Sequence, residues 1–162
     1  MAPTINLLLQ RTVSSISKKL FVAVIATTCF AASAFAGGDE ANVKAINNLK
    51  KDYSDAKNIQ WNVTDDYIKA TFNWKNQQLQ VFYTKDGDAF AQSRQINLNI
   101  IPLKAQQTLS KDFTNYNITE AIEFTSEQTG LCYYVSLTKG SVKKILQITP
   151  EGSVNTFRPI RN

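Results

Sequence analysis

The chain has 162 residues, a formal net charge of +5, 43% apolar side chains and no histidine. Without imidazole it has no Ser–His or Cys–His nucleophile pair, no imidazole acid–base group and none of the commonest zinc and haem ligands. It also lacks a Gly-rich phosphate loop and a dinucleotide fingerprint, so no cofactor and no metal site is expected.

Residues 1–36 read as a signal peptide. Lys18-Lys19 precede the apolar run Leu20-Phe-Val-Ala-Val-Ile-Ala, which passes into Ala34-Phe35-Ala36 and then Gly37-Gly38. A basic flank, a short apolar centre and a small-x-small end are the parts of a secretory signal. The run is short against about 30 Å of hydrocarbon, so no stable membrane insertion is expected after cleavage. Thr28 before Cys29 makes a poor lipobox. Cleavage after Ala36 leaves residues 37–162 as one domain, long enough to bury roughly 65% of its unfolded surface. Arg11, Lys18 and Lys19 leave and no acid does, which lowers the net charge from +5 to +2. A nucleic acid is then a poor partner, since such binding needs clustered Lys and Arg. The expected location is the bacterial periplasm or the exterior.

Asp39-Glu40 opens a helical stretch, with acids where the N-terminal dipole favours them. Val43, Ile46, Leu49 or Lys50, and Tyr53 form its apolar stripe, while Lys44, Asn47, Asn48 and Lys51 face away. Ile59, Trp61 and Val63 start the first strand, and Asp65-Asp66 joins it to the next. Strict alternation then puts Ile68, Ala70, Phe72 and Trp74 on one side and Tyr67, Lys69, Thr71 and Asn73 on the other. Leu79, Val81 and Tyr83 alternate with Gln78, Gln80 and Phe82 in the next run. Lys75-Asn76-Gln77 is a short polar hairpin connection, and Asp86-Gly87 a tight reversal needing positive φ. Ala91–Leu98 is a fourth, more polar strand.

Pro102 starts a second helix, its missing N–H being no loss there. That helix runs to about Asn115, with Leu103, Leu109 and Phe113 inward and Lys104, Gln107 and Lys111 outward. Four further strands follow, at Ala121–Thr125, Leu131–Thr138, Val142–Thr149 and Ser153–Pro159, punctuated by Gly130, Gly140 and Gly152. Cys132, the one cysteine of the mature chain, lies in the second of these. With no cationic neighbour to activate it, it reads as a half-buried strand residue rather than a reactive thiol.

The order of elements returns on itself. Lys51-Asp52-Tyr53 recurs as Lys111-Asp112-Phe113, 60 positions on, and Thr84-Lys85-Asp86-Gly87 as Thr149-Pro150-Glu151-Gly152, 65 on. The fold class expected is α+β. Two tandem α-β-β-β(-β) repeats, about 39–98 and 99–162, would form one antiparallel sheet with two helices packed on one face.

Tyr53-Ser-Asp-Ala-Lys-Asn-Ile-Gln-Trp61, Tyr67-Ile-Lys-Ala-Thr-Phe72, Val81-Phe-Tyr-Thr-Lys-Asp-Gly87, Ile101-Pro102 and Tyr134-Val-Ser-Leu137 occur in this order. On these segments the chain, from about Val43 to Ile160, resembles the PepSY-like, β-lactamase-inhibitor-like family of secreted bacterial proteins. The resemblance implies tandem helix-plus-strands units in one sheet. It carries no activity, because fold does not imply function.

The remaining chemistry is sparse. Asp65 and Asp66 could be imagined as an acid–base pair for a hydrolase, but neighbours on extended chain point to opposite faces. Asp86-Gly87-Asp88 lacks the spaced acids and distant Glu of a calcium loop. The chain therefore reads as a non-enzyme. The sheet face away from the helices carries Tyr67, Lys69, Thr71, Gln80, Phe82, Tyr134 and Ser136. An antiparallel sheet can leave one face wet, and aromatics interleaved with Lys and Gln suit recognition of another protein. Tyr67, Lys69, Gln80, Phe82 and Tyr134 are the candidate binding residues, and the function expected of them is to modulate or inhibit an envelope protein. The same rings could instead serve only as cross-strand stabilising pairs. A carrier holding a small molecule or peptide between sheet and helices is the alternative function.

Overall fold

In the computed structural model residues 42–157 are described. The expected signal peptide, Asp39-Glu40 and Pro159 lie outside them. Helix α1 (Val43–Asp52) begins where the Asn42 side chain accepts a hydrogen bond from the Lys44 N–H at 2.7 Å, and Lys50 and Lys51 in its last turn suit the negative end of the dipole. Four strands follow: β1 (Lys57–Val63), β2 (Ile68–Trp74), β3 (Gln77–Tyr83) and β4 (Ala89–Gln95). A 3-10 turn at Leu98–Ile100 leads to α2 (Leu103–Asp112), and then come β5 (Asn117–Ser126), β6 (Gly130–Lys139), β7 (Val142–Ile148) and β8 (Val154–Thr156). The eight strands pair in chain order, each antiparallel to the next, in one sheet. The fold is α+β, as expected.

The register fixes which side chains share a face. Ile68, Ala70 and Phe72 stand opposite Tyr83, Val81 and Leu79, and these six join Ala45 and Leu49 of α1 in one apolar core. Val135 and Leu137 of β6 and Leu146 and Ile148 of β7 join Ala105 and Leu109 of α2 in a second. The pairings through β4 and β5 place both cores on the same side of the sheet, so both helices lie on one face. Between them that face is polar: Gln92 and Arg94 of β4 oppose Thr125 and Glu123 of β5.

The alternation in β2 and β3 is read correctly from sequence, and the helix stripes only partly. Val43 is 72% exposed and Leu103 67%, although both are expected to point inward. Each is the first residue of its helix, a quarter-turn or more from the buried Ala and Leu, and each helix seats on the sheet by the small residue two positions later. Ala45 and Ala105 are fully buried because a small side chain lets helix and sheet approach closely. Asn48, expected to face away, is half-buried and donates through Nδ2 to the Gly87 carbonyl at 2.9 Å.

The reversal at Asp86-Gly87 forms as expected, with Gly87 N–H donating to the Thr84 carbonyl and Thr84 N–H to the Asp88 carbonyl. Gly87 adopts φ +87 and lies against the first turn of α1, where a Cβ would come within 2.8 Å of the Ala45 nitrogen. Asn42 Nδ2 also donates to the Lys85 carbonyl at 2.9 Å. Gly152 holds the matching position under α2 at φ +84, with Lys104 Cβ 3.0 Å from its would-be Cβ. Lys75 and Asn76, both at positive φ, make the two-residue connection between Trp74 and Gln77, the twist that joins adjacent antiparallel strands most directly.

Candidate binding face

The face opposite the helices is lined by aromatic rings in contact across most of the sheet. Tyr67, just before β2, meets Phe82 of β3 at 5.8 Å between centroids, and Phe82 meets Phe124 of β5 at 6.3 Å. Phe124 meets Tyr134 of β6 at 6.2 Å, and Tyr134 meets Phe157 at 5.4 Å. Phe90 joins from the side, 6.5 Å from Phe82. The arrangements are tilted or edge-on, the geometry in which ring edges meet ring faces. Alternation along each strand creates this line: residues facing the helices are one out of phase with Phe82, Phe124 and Tyr134.

The five candidate residues all fall on this face, and four are buried rather than wet. Tyr67, Lys69, Phe82 and Tyr134 are buried, Phe82 completely, while Gln80 is half-buried. The expectation of an open, solvated patch made of these side chains is corrected in that respect. Rings that pack against rings on both sides bury one another, and strand alternation read alone does not reveal this lateral packing. Around the buried floor stand half-buried side chains: Thr71, Gln80, Phe90, Ile145, Gln147 and Phe157. Ala91, Ser93 and Ile122 complete the floor. Sequence reasoning missed Phe124 and Phe157. The cue available was their phase: Phe124 is one residue out of step with Ala121 and Glu123, so it belongs to the face that carries Tyr134.

Burial sets the electrostatics here. Removal from water pushes the Tyr67 phenol above its ordinary range, with the nearby Asp66 charge adding to the effect. Tyr134 is pushed up further, again mainly by burial, then by its contact with Cys132. Gln147 Nε2 donates to the Tyr134 oxygen at 3.0 Å, and the Cys132 thiol lies 3.5 Å from it. The Cys132 thiol is itself raised by burial, only partly countered by Tyr134 and Gln147, so it stays protonated and inert. Lys69 is shifted the other way: burial lowers its pKa. Asp65 and Asp66 are exposed in the connection between β1 and β2. Among the described residues no group of three or more His, Cys, Asp or Glu side chains is placed to hold a metal ion.

The chamber required of a carrier would lie between sheet and helices. That space is filled by Leu49, Phe72 and Tyr83 under α1 and by Leu109, Leu137 and Ile148 under α2, all buried. At the β2–β3 hairpin an open cleft is lined by Asp55, Asn58, Asn73 and Trp74 among others. Its one ring is already occupied, since Lys75 Nζ sits 4.0 Å over Trp74 and Tyr53 meets its edge at 5.3 Å.

No known family and no curated protein matches the sequence. Solved structures do resemble the fold. A BLIP-like protein of Bacteroides fragilis is 16% identical with a TM-score of 0.63, over 72% of this chain and 84% of that one. A DUF2874 family protein of Bacteroides uniformis is 15% identical with a TM-score of 0.64, over 70% and 86%. A protein of Bacteroides eggerthii described as periplasmic is 19% identical with a TM-score of 0.65, over 70% and 85%. At these identities the likeness is one of fold, and the fold is BLIP-like. No helix among the described residues is long and apolar enough to cross a membrane.

Proposed function

We propose that this chain is an exported, non-catalytic binding module whose sheet face opposite the two described helices docks another protein of the cell envelope. Residues 1–36 are its signal peptide and 37–162 the working domain. The observation that carries the reading is the aromatic line from Tyr67 through Phe82, Phe124 and Tyr134 to Phe157. A sheet face that meets only water carries polar side chains. This one carries rings over most of its width, and each described helix packs on the other side. Buried aromatics encircled by Gln80, Gln147 and Thr71 have the make-up of an interface, an apolar centre inside a polar rim. The BLIP-like and periplasmic neighbours fit such a module. Modulation or inhibition of the partner is the finer role proposed.

The domain is further proposed to be a PepSY-like duplication, residues 39–98 and 99–162. In support, α1 and α2 have ten residues each, with Ala45 and Leu49 in one matched by Ala105 and Leu109 in the other. Gly87 and Gly152 each lie against the start of their own helix.

The test is recovery of a partner from envelope extract by immobilised residues 37–162. Gln80→Arg with Gln147→Arg adds two long cations at the rim, and a guanidinium at position 147 keeps a donor beside the Tyr134 oxygen in place of the amide. That variant should lose the partner, whereas Lys50→Glu with Lys111→Glu on the helix side should keep it. Equal recovery by both variants, each folded by circular dichroism, would remove the face from the reading.

A further inference from the structure

Lys69 is the second residue of β2, on the aromatic face, with Phe82 directly across on β3 and Asn62 across on β1. Tyr67, just before the strand, and Thr71 within it flank Lys69 along the same face. It is 7% exposed, yet its ammonium joins no ion pair, hydrogen bond or cation–ring contact among the described residues. Described side-chain nitrogens fully sealed from water all have partners, so the ammonium keeps a path to the surface while its four-carbon stem lies along the rings. A charge this poorly hydrated with no counter-charge among the described residues is unfavourable for folding, and an apolar side chain of the same length would fill the site at less cost. A lysine with no task inside the fold, on the face argued to be an interface, has its counterpart on the other molecule.

Resting on the binding reading above, we propose that the partner presents an apolar surface with one Asp or Glu carboxylate set against Lys69. The rings supply contact area, and the ammonium decides which apolar surface is accepted. In the closed interface the carboxylate completes a charge-assisted hydrogen bond away from bulk water, where such a bond is strongest. A partner lacking the acid would leave the lysine buried and unpaired, so apolar surfaces in general are rejected. The nearest acids in the chain, Asp65 and Asp66, are exposed in the preceding turn and make no ion pair with it.

The probe is a displayed library of random twelve-residue peptides selected against residues 37–162. Enriched sequences should carry one acid among Leu, Phe or Trp. Their affinity should fall at least tenfold on Lys69→Met, or on Glu→Gln in the peptide, with little further loss when both changes are made. Lys69→Arg should retain binding. Lys69→Met should also raise the melting temperature, because it relieves a buried charge; a fall of several degrees would assign the lysine a structural role and overturn the proposal. Selection of acid-free peptides, unaltered binding by Lys69→Met, or no enrichment of any peptide would overturn it too. Micromolar self-association, or binding to phosphatidylglycerol vesicles in place of peptide, would name a different occupant and overturn it likewise. If the selected peptides bind the Gln80→Arg, Gln147→Arg variant unchanged, the face itself is wrong. If that variant fails to bind and Lys69→Met binds normally, only the role of Lys69 falls.

Discussion

Helix α1 lies on an aromatic half-sheet and α2 on an aliphatic one. Under α1, Tyr53 packs on Phe72 at 4.9 Å and Trp61 on Tyr83 at 5.9 Å. Under α2 the corresponding space is filled by Ile101, Val135, Leu137, Leu146 and Ile148, with Tyr133 at the margin. Ten-residue helices sit on both, each seated by an alanine and a leucine four apart and each with a glycine turn beneath its first turn. Helix position is therefore set by the close-approach points, and the bulk of the core adapts around them. The two halves meet at a polar seam, where Arg94 Nε and a terminal nitrogen of its guanidinium donate to the two Glu123 oxygens at 2.8 and 3.0 Å.

The two halves differ most at the glycines beneath their helices. Gly87→Ala adds a left-handed penalty of roughly 1 kcal/mol. It also drives a Cβ to 2.8 Å from backbone and side-chain atoms of α1, an overpacking cost of about 1–3 kcal/mol more. Gly152→Ala meets its nearest atom, Lys104 Cβ, at 3.0 Å and the Ala105 nitrogen at 3.4 Å, so a small shift accommodates it. Urea denaturation should show a loss of about 2–4 kcal/mol for the first and about 1–2 kcal/mol for the second. Equal losses would mean that both helices seat with the same tolerance.

A smaller effect is expected at the seam. Glu123 holds the Arg94 guanidinium charged through its hydrogen bonds, against a modest opposing effect of burial. The pair is fork-to-fork but partly exposed, so Arg94→Met should cost about 1 kcal/mol, and less in 1 M salt. If the two halves need the seam to stay registered, the denaturation transition should also broaden. An unchanged slope would show that β4–β5 backbone pairing alone couples them.

The β2–β3 hairpin, the Asp86-Gly87 turn and the face assignment of Ile68, Ala70 and Phe72 were legible because period-two alternation is a local signal. Both helices were legible in place, but their seating was not. Ala45 and Ala105 carry little hydrophobic weight, whereas Val43 and Leu103 carry much, so a stripe drawn by hydrophobicity rotates toward the wrong residues. The aromatic face was legible as a list of side chains and illegible as a surface. Ring-to-ring burial of Phe82 by Tyr67 and Phe124 links residues 15 and 42 positions apart, which only strand order across the whole sheet brings together. The buried Lys69 follows from the same cause: its sequence neighbours show alternation, and only strand pairing shows that Asn62 and Phe82, neither of them an acid, stand opposite it.

The smallest expected effect separates the halves by pH. Burial raises the phenol pKa of Tyr53, Tyr67 and Tyr83 in the first half and of Tyr134 in the second. Unfolded phenols ionise near about 10, so above that pH the unfolded chain sheds protons that the folded chain retains, and stability falls as pH rises. Lys69 acts in the opposite sense. Its folded pKa lies below 10.5, so between the two values the unfolded lysine is still protonated when the folded one is not, and stability rises with pH. Urea denaturation from pH 8 to 11 should therefore show a shallow rise followed by a steeper fall. Lys69→Met should flatten the rise and leave the fall. Tyr134→Phe should keep most of the fall, because three of the four raised phenols belong to the half beneath α1. A fall abolished by Tyr134→Phe alone would shift the alkaline weakness to the second half and undo that assignment.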